Sequence, residues 1–390
     1  MSGPRLRPLP VPSGIAALRV LEDLNRALNG SGPAVAPYPF DGPPPPIPDD
    51  LSHLPAGLAL TIGTSGSTGP PKLAMLTGEA LRASAHATHQ RLGGPGQWLL
   101  AMPAHHIAGI QVLVRSLVAG TTPVAMDLAS GFTGAAFARA TDEIASAATA
   151  YTALVPTQLI RLLSSAGGRQ ALKRYAAVLL GGAAAPAGLL AQARDAGVEV
   201  VTTYGMSETA GGCVYDGRPL DVSLVQLEDD GRVRLGGATL ALGYLDEPAL
   251  SATAFVVDDT ALRWFRTDDI GHLDAQGALV VDWRIDDLIN TGGLKVAPRL
   301  VEEALTELDA VAAAVVVGSP DPEWGQLVSA AIVVTHGASH PTLDDVRDRL
   351  RGILPDHALP RRLAILPALP LRGPGKPDRA AVRRHFDHGS

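Results

Sequence analysis

Residues 63–72 read GTSGSTGPPK, a run of glycines and hydroxyl residues that ends in two prolines and Lys72. The backbone amides of such a loop can converge on an anion, and Ser and Thr hydroxyls add further donors. A flexible linker is the alternative reading. The flanks argue against it, because residues 58–62 predict a buried strand before the loop and residues 76–87 predict a helix after it. We predict a phosphate-binding loop, but not a Walker A loop, which has glycine directly before its lysine.

A second motif, VEVVTTYGMSETAGG at residues 198–212, reads as a strand that runs into a turn. The nucleophile elbow of a serine hydrolase is one alternative, but Thr209 stands where its last glycine should be. Tyr204 offers a flat face for a purine, and Glu208 offers a hard oxygen ligand for Mg²⁺. Together with the phosphate loop, this motif predicts a nucleotide site.

Charged residues gather at three further places. FRTDDIGHLD (265–274) and DWRIDDLINTGG (282–293) combine carboxylates with an arginine, although solvated acidic turns are the usual alternative for such pairs. LPLRGPGKPDR (369–379) frames one lysine with glycines and prolines. Of the 32 basic residues only four are lysines, and two of these, Lys72 and Lys376, fall inside glycine-rich motifs. A compact ammonium at those two positions indicates a specific role.

The pattern along the chain indicates which elements position these motifs. Residues 38–50 form a proline-rich connection after a short N-terminal helix, and residues 58–210 alternate short apolar strands with helices. That alternation is typical of an α/β fold with mostly parallel sheets. We predict a large domain over residues 1–285, with a β subdomain at 213–283. A small, mobile α+β domain of about 100 residues then covers 286–390.

Composition limits the partners and the compartment. A net charge of −7 gives no basic stripe, so nucleic acid is not expected as a partner. Cys213 is the only cysteine, which excludes a disulfide framework. The uncharged stretch 176–193 is interrupted by Gly181, Gly182 and Pro186, and reads as a strand, a turn and the start of a helix. We predict a cytoplasmic protein without stable membrane insertion. The oligomeric state stays open, a homodimer included.

Taken in order, the motifs resemble those of the AMP-forming acyl/aryl-CoA synthetases, the adenylate-forming family that includes luciferases and the adenylation domains of peptide synthetases. The resemblance runs from about Leu58 to Arg379. It adds the motif PAHHIAG (103–109), which places a substrate-pocket histidine. It implies ATP, Mg²⁺ and, as co-substrate, coenzyme A. It also implies a small domain that turns between two reactions, adenylation and thioester formation.

The resemblance assigns roles residue by residue. It implies catalytic roles for Lys376, Glu208 and Lys72, with Glu208 also holding the metal. The nucleotide would be bound by Thr64, Ser65, Gly66, Ser67, Thr68, Gly69, Lys72, Gly182, Tyr204, Gly205, Met206, Ser207, Thr209, Asp269, Arg284 and Lys376. The acid would meet His106, Gly182 and Ser207. Gly292 and Gly293 would line the path of the coenzyme A thiol, and Asp286 would be the hinge.

Several positions depart from the family pattern. Asp268 and Trp283 stand where the family has glycine, Asn290 replaces a common lysine, and Leu73 replaces the glycine after Pro-Lys. The region before the phosphate loop is also shorter than usual. No charged group needed for the chemistry is missing, but the ribose and hinge geometry are put in question.

Arg115 bears on which acid is used. It lies within residues 105–120, which predict a buried, mostly apolar helix after the pocket histidine. A snorkelling or structurally paired arginine is the alternative. Otherwise a guanidinium beside the acyl pocket favours a substrate with a second carboxylate, which it can bind bidentately.

Within the family the chain is most similar to compact o-succinylbenzoate–CoA ligases of menaquinone biosynthesis, so that activity is expected. The alternatives are another acyl- or aryl-CoA ligase, a stand-alone adenylating enzyme, and a non-catalytic nucleotide-binding relative.

Overall fold

A computed structural model describes residues 5–48, 50–51, 54–64, 72–128, 131–185, 187–372 and 376–387. The chain divides into two compact units. Unit 1 comprises Met1–Gln226, Arg234–Thr267 and Asp274–Leu279. Unit 2 comprises Leu227–Val233, Asp268–Leu273 and Val280–Ser390. Compactness does not show where the chain pivots, so the boundary between residues 285 and 286 stays a prediction.

The described helices and strands follow in chain order. The α-helices are α1 (Leu21–Leu28), α2 (Gly78–Arg91), α3 (Ile107–Ala119), α4 (Gly134–Asp142), α5 (Pro156–Leu163), α6 (Ala166–Leu172), α7 (Ala187–Asp195), α8 (Pro248–Ala254), α9 (Pro298–Thr306), α10 (Leu343–Leu350) and α11 (Arg379–Asp387). The strands are β1 (Leu6–Val11), β2 (Ala34–Pro39), β3 (Leu58–Gly63), β4 (Leu73–Thr77), β5 (Gln97–Leu100), β6 (Val124–Ala125), β7 (Ala150–Leu154), β8 (Ala177–Leu180), β9 (Val200–Met206), β10 (Gly211–Tyr215), β11 (Arg218–Pro219), β12 (Ser223–Leu227), β13 (Arg232–Gly237), β14 (Phe255–Val257), β15 (Arg263–Leu273), β16 (Leu279–Arg284), β17 (Ile289–Thr291), β18 (Leu294–Val296), β19 (Val311–Asp321), β20 (Gly325–Val334), β21 (Arg362–Ile365), β22 (Leu371–Arg372) and β23 (Lys376–Pro377).

The strands around the glycine-rich loop correct one prediction. β3 is the buried strand expected at residues 58–62, but residues 73–77 form β4, which pairs antiparallel with β3. The helix predicted from residue 76 is therefore wrong at its start. On its other side β4 is held by the amide of Met75, which donates to the Gly243 carbonyl at 2.9 Å. Partners on both edges favour strand over helix here. α2 begins after its N-cap Thr77, whose hydroxyl accepts from the amide of Ala80.

The expected parallel α/β sheet is present in unit 1. Its strand order is β11-β10-β9-β8-β7-β5-β6, and the strands from β5 to β9 pair in parallel. β10 turns back antiparallel to β9. Buried side chains of α2 and α3, such as Leu81, Ile110 and Leu113, belong to the same apolar core as strand residues Trp98 and Leu100. This packing fixes the carboxyl ends of the strands, where ligands of α/β sheets bind.

The N-terminus and the uncharged stretch are built from short elements. α1 is the predicted N-terminal helix. The strand β1 precedes it, the strand β2 follows it, and the two pair in parallel. The sequence did not predict these strands, because both contain prolines. Residues 176–193 include β8 and most of α7, as expected. Among the described helices, none has the length and apolar character that crossing a membrane requires.

Unit 2 contains the small α+β fold expected toward the C-terminus. One sheet has the order β18-β17-β20-β19, and β21 pairs in parallel with β20. Val301 and Leu305 of α9 pack with Val316, Val328 and Ile332 of the long hairpin β19–β20. The strands β22 and β23 form a small separate ribbon that brings Arg372 opposite Lys376.

Candidate active site

The ends of the predicted phosphate loop are joined in unit 1. The amide of Thr64 donates to the carbonyl of Lys72 at 2.8 Å, which continues the β3–β4 ladder and closes the loop between them. Ser65, Gly66, Ser67, Thr68 and Gly69 lie outside the described residues. The exposed Lys72 places its Nζ 5.6 Å from the centre of the Tyr244 ring.

The turn after β9 carries Glu208 into the interior of unit 1. It is a short 3₁₀ helix, residues 207–209, and Glu208 within it is only 7% exposed. The Tyr244 hydroxyl donates to Glu208 Oε1 at 2.9 Å. The Ser207 hydroxyl donates to the Gly63 carbonyl at 3.2 Å, directly before the phosphate loop. The structure therefore brings together Lys72, Ser207 and Glu208, whose roles stay predictions.

The purine motif lies at the carboxyl end of the parallel sheet. Tyr204, Gly205 and Met206 are the last residues of β9, and Tyr204 pairs with a residue of β10. Residue 205 must be glycine for packing reasons, because a Cβ atom there would lie 2.2 Å from the Gly211 carbonyl oxygen. Gly182, with φ of +82°, follows the neighbouring β8. These positions suit a nucleotide base, and their contacts with one stay a prediction.

Two histidines precede α3, and Arg115 lies near its end. His106 occupies the N-cap position, and its ring lies 4.2 Å from that of His105, measured between centroids. Arg115 is 3% exposed, which rules out the snorkelling alternative. Its Nη2 donates to the Tyr215 hydroxyl at 3.2 Å, and its guanidinium lies 4.9 Å from the centre of the Trp98 ring.

The charge of Arg115 has no acidic partner among the described residues. It contacts the Tyr215 hydroxyl and the Trp98 ring, and its Nε is buried with no hydrogen-bond acceptor in the described part of the chain. Burial lowers the pKa of Arg115, and the Tyr215 hydroxyl opposes part of that effect. Burial, followed by the charge of Arg115, lowers the pKa of neighbouring His89 to about 4. A pKa near 4 leaves His89 neutral at pH 7, so it adds no second positive charge beside Arg115.

Unit 2 gathers the predicted ribose and hinge residues. Arg284 donates from Nε and Nη2 to the two carboxylate oxygens of Asp286, at 2.9 and 3.0 Å. Its Nη1 lies 3.5 Å from Oδ1 of the buried Asp269. Burial by itself lowers the pKa of Arg284, but the hydrogen bonds with Asp286 and the charge of Asp269 raise it overall. The structure thus brings Asp269, Arg284 and Asp286 into one cluster.

Asp268, which departs from the family glycine, has a defined partner. Its Oδ1 accepts from Nη2 of Arg232 at 2.7 Å, and its Oδ2 lies 3.8 Å from Arg284. The side chain of Asp268 is 52% exposed and points to other charges of unit 2. The extra carboxylate is therefore accommodated by an arginine on β13.

The last predicted residues are also in unit 2. Gly292 and Gly293 both have positive φ, and they form the turn between β17 and β18. A Cβ atom at Gly292 would lie 2.8 Å from the Trp324 ring. The backbone of Lys376 begins β23, whereas its side chain lies outside the described part of the chain. The roles of these three residues stay predictions.

Two side chains of the site were missed by the sequence analysis. Tyr244 contacts both Glu208 and Lys72, yet nothing in its surroundings in the sequence marks it. Gln111 donates from Nε2 to the Ala210 carbonyl at 2.7 Å, across 99 positions of the chain. A polar residue inside an apolar helix, five positions after His106, was the one available signal for Gln111.

Comparison with known proteins shows which family the chain matches and which proteins it is similar to. Residues 22–280 match the AMP-binding enzyme family, and residues 300–376 match the AMP-binding enzyme C-terminal domain. The chain is 45% identical over 389 residues to a probable 2-succinylbenzoate–CoA ligase of Mycobacterium tuberculosis, covering 98% of each protein.

Two solved structures show the same fold over most of the chain. The o-succinylbenzoate coenzyme A synthetase MenE of Bacillus subtilis, in complex with AMP, has a TM-score of 0.71 at 25% identity. That similarity covers 93% of this chain and 81% of MenE. The amide bond synthetase McbA of Marinactinospora thermotolerans has a TM-score of 0.78 at 25% identity, covering 99% of this chain and 90% of McbA.

Proposed function

The chain belongs to the AMP-binding enzyme family, and we propose that it is a 2-succinylbenzoate–CoA ligase. It uses ATP to convert the acid into an acyl-adenylate and then transfers the acyl group to coenzyme A. The family supports the AMP-forming chemistry. The relative that matches 98% of both chains at 45% identity carries the name of this ligase.

In the first reaction a carboxylate oxygen of the acid attacks the α-phosphorus of ATP. The bond from that phosphorus to the bridging oxygen breaks, and pyrophosphate leaves. Negative charge gathers on the phosphoryl oxygens, so fixed donors and cations around them lower the barrier. We assign this task to the loop that begins at Thr64, to Lys72 and to Lys376. Ser207 holds the turn of Glu208 against the start of that loop.

Mg²⁺ fits the donor set at Glu208. Among the described residues no group of three or more His, Cys, Asp or Glu side chains could hold a metal by itself. Mg²⁺ usually keeps waters and is bound by one or two carboxylates together with substrate phosphates. One buried carboxylate, oriented by Tyr244, suits such a nucleotide-borne ion. When bound, Mg²⁺ supplies charge neutralisation at the phosphoryl oxygens.

In the second reaction the thiol of coenzyme A attacks the acyl carbon, and AMP leaves. We propose that residues 286–390 turn about Asp286 between the two reactions. This movement takes Lys376 away and brings Gly292 and Gly293 to the path of the thiol. The positive φ of both glycines supports a turn where the backbone comes close to a ligand. Gating by a mobile domain is a common way to run two steps at one site.

The observation that carries the choice of acid is the burial of Arg115 without an acidic partner among the described residues. Burying a charge without a counter-charge is unfavourable, whereas a carboxylate would pair with the guanidinium bidentately. 2-Succinylbenzoate has two carboxylates, so one can be activated while the other meets Arg115. His106, Gly182 and Ser207 are proposed to contact the same acid. We further propose that the enzyme works in the cytoplasm. We also propose that it forms a homodimer, which a measurement of its mass in solution would detect as twice the mass of one chain.

A panel of three acids tests this proposal. ATP–pyrophosphate exchange is measured with 2-succinylbenzoate, with 4-oxo-4-phenylbutanoate, which lacks the ring carboxylate, and with 2-butanoylbenzoate, which lacks the chain carboxylate. We expect strong exchange with the diacid, and weaker exchange with whichever monoacid retains the activated carboxylate. Addition of coenzyme A should then yield the thioester. Adenylation with another acid class, or an acyl-adenylate that reacts with amines but not with coenzyme A, would contradict the assignment.

A further inference from the structure

Ala210, two residues after Glu208, adopts a backbone conformation that residues with a side chain avoid. Its φ is +52° and its ψ is 36°, in the left-handed region, and it ends the 3₁₀ helix of residues 207–209. For an L residue this conformation brings Cβ too close to the backbone, and glycine is the residue that adopts it without penalty. Such a conformation persists only where the surroundings hold it.

Two buried side chains hold the carbonyl of Ala210. Gln111 of α3 donates from Nε2 at 2.7 Å, and Ser84 of α2 donates from Oγ at 3.2 Å. Gln111 is 1% exposed and Ser84 is fully buried. The two donors occupy both lone pairs of one carbonyl oxygen, and they come from two different helices. The orientation of this peptide is therefore fixed from outside the turn.

Further hydrogen bonds stabilise the main chain of the turn between Ala210 and Glu208. The hydroxyl of Thr209 accepts from the amide of Met206 at 3.0 Å and donates to the Gly211 carbonyl at 2.8 Å. The main-chain carbonyl of Glu208 accepts from the amide of Ala241 at 2.8 Å. The main chain on either side of Glu208 is thus held, and its carboxylate accepts from the Tyr244 hydroxyl at 2.9 Å.

In the described part of the chain, the side-chain amide of Gln111 uses only one of its two polar atoms, the Nε2 that bonds the Ala210 carbonyl. Its Oε1 is buried and has no hydrogen-bond partner among the described residues. The amide cannot be turned over, because Oε1 would then face the Ala210 carbonyl oxygen. A buried acceptor without a partner is unfavourable, and an apolar side chain of similar size would avoid this. A glutamine here is explained by the one bond that its Nε2 makes.

We propose that Gln111 and Ser84 are positioning residues for Glu208. By holding Ala210 in the left-handed conformation, they aim the Glu208 carboxylate at the Mg²⁺ that accompanies ATP. This inference rests on the proposed function. It adds two residues: Ser84, which lies 12 positions after Lys72, and Gln111, which lies five positions after His106. Neither is assigned a contact with the substrate.

The test is a double-mutant cycle between Gln111→Leu and Ala210→Gly. In the natural background, Gln111→Leu should lower kcat/KM for adenylation at least about tenfold, and should raise the Mg²⁺ concentration for half-maximal rate. In the Ala210→Gly background the same change should lower it less than about threefold, because glycine needs no help to adopt this φ. Ser84→Ala should act in the same direction and more weakly.

A second readout does not depend on turnover. Binding of the α,β-methylene analogue of ATP is measured by calorimetry at several Mg²⁺ concentrations. Gln111→Leu should weaken the Mg²⁺-dependent part of the affinity, and Ala210→Gly should restore it. Gln158→Leu is the control, since it removes the bonds of another buried glutamine: from Nε2 to the Ala101 carbonyl at 2.9 Å, and from the Val155 amide to Oε1 at 3.0 Å. It should leave the Mg²⁺ dependence unchanged.

The outcomes separate this inference from the proposed function. Equal losses from Gln111→Leu in both backgrounds, or a loss without any change in Mg²⁺ dependence, would overturn the positioning role. If the natural enzyme adenylated an acid other than 2-succinylbenzoate, the proposed substrate would fail. The cycle would still be decided by the Mg²⁺ dependence of analogue binding.

Discussion

The carboxylates of Glu208 in unit 1 and Asp286 in unit 2 both accept hydrogen bonds from neighbouring side chains, but they differ in their exposure to water. Glu208 is 7% exposed and accepts from the neutral hydroxyl of Tyr244. The side chain of Asp286 is 31% exposed, and its partner Arg284 is 44% exposed. A buried bond to a charged group is costly to break, whereas an exposed ion pair contributes about 0–1 kcal/mol.

This difference suits the two proposed tasks. A metal ligand must be in place before ATP arrives, so Glu208 benefits from a fixed and buried position. A pivot must change its backbone conformation in each cycle, so the partner of Asp286 has to be exchanged at little cost. Arg284 already faces Asp269 as well as Asp286, which provides it with an alternative partner. The contrast between a fixed cluster and an exchangeable one can be tested.

The largest expected effect concerns Lys376, which belongs to residues 286–390, the part of the chain that is proposed to turn. Lys376→Ala should lower the rate of adenylation by of order 10²–10³-fold, by analogy with the loss of one oxyanion donor. Thioester formation from a supplied acyl-adenylate should be much less affected, because the lysine has moved away by then. The two half-reactions are measured separately, and equal losses in both would show that residues 286–390 do not exchange roles between the two reactions.

Glu208→Gln tests the fixed cluster. The change keeps size and hydrogen bonding but removes the charge that holds Mg²⁺, so adenylation should fall by roughly 10²-fold. Raising the Mg²⁺ concentration should restore part of the rate. An unchanged Mg²⁺ titration curve would place the metal elsewhere.

Arg115→Leu tests the buried guanidinium of unit 1. Removing one partner of a buried charge pair costs roughly 2–5 kcal/mol, so use of 2-succinylbenzoate should weaken by about 30-fold or more. The monocarboxylic analogues should lose little. Values of kcat/KM for both kinds of acid are compared within each enzyme, which cancels differences in folded fraction. Similar losses for both would make Arg115 a structural residue.

Tyr244→Phe tests whether the fixed position of Glu208 matters. The ring beside Lys72 is kept, and only the hydroxyl bonded to Glu208 is removed. A hydrogen bond to a charged group contributes about 1.5–3 kcal/mol, so adenylation should fall by about tenfold or more. Tyr175→Phe is the control, because it removes a buried hydroxyl that is bonded to Thr141 instead. If both variants behaved alike, Tyr244 would have no special role.

The smallest effect is expected at Asp268 in the exposed cluster. Asp268→Gly restores the family residue and removes an exposed ion pair with Arg232. Such pairs contribute about 0.2–1 kcal/mol, so the rate of adenylation should change less than about fivefold. A much larger loss, measured in the same exchange assay, would mean that the exposed cluster is as rigid as the buried one.

Prediction from the sequence worked where a local pattern carries its own physical meaning. The apolar run before the glycine-rich loop predicted β3, and the ordered motifs indicated an adenylate-forming enzyme that the family matches confirm. It failed at residues 76 and 77, which were predicted as the start of a helix and belong to β4. Their spacing is compatible with a helix, but hydrogen bonds to β3 on one edge and to Gly243 on the other stabilise a strand. No local window contains those partners.

By itself the sequence determined which chemical groups are available and in what order, because motifs such as SET and GPGK are contiguous. Tertiary structure alone decided how Glu208 is held. Its carboxylate meets Tyr244, 36 positions away, and the carbonyl two residues later meets Gln111 and Ser84, which are 99 and 126 positions away. The tertiary structure also placed Arg232 of β13 beside Asp268, and it left Arg115 without an acidic side chain as a partner among the described residues. Hydrogen bonds and ion pairs form over a few ångströms, so which groups pair is fixed only once the sheets and helices have packed.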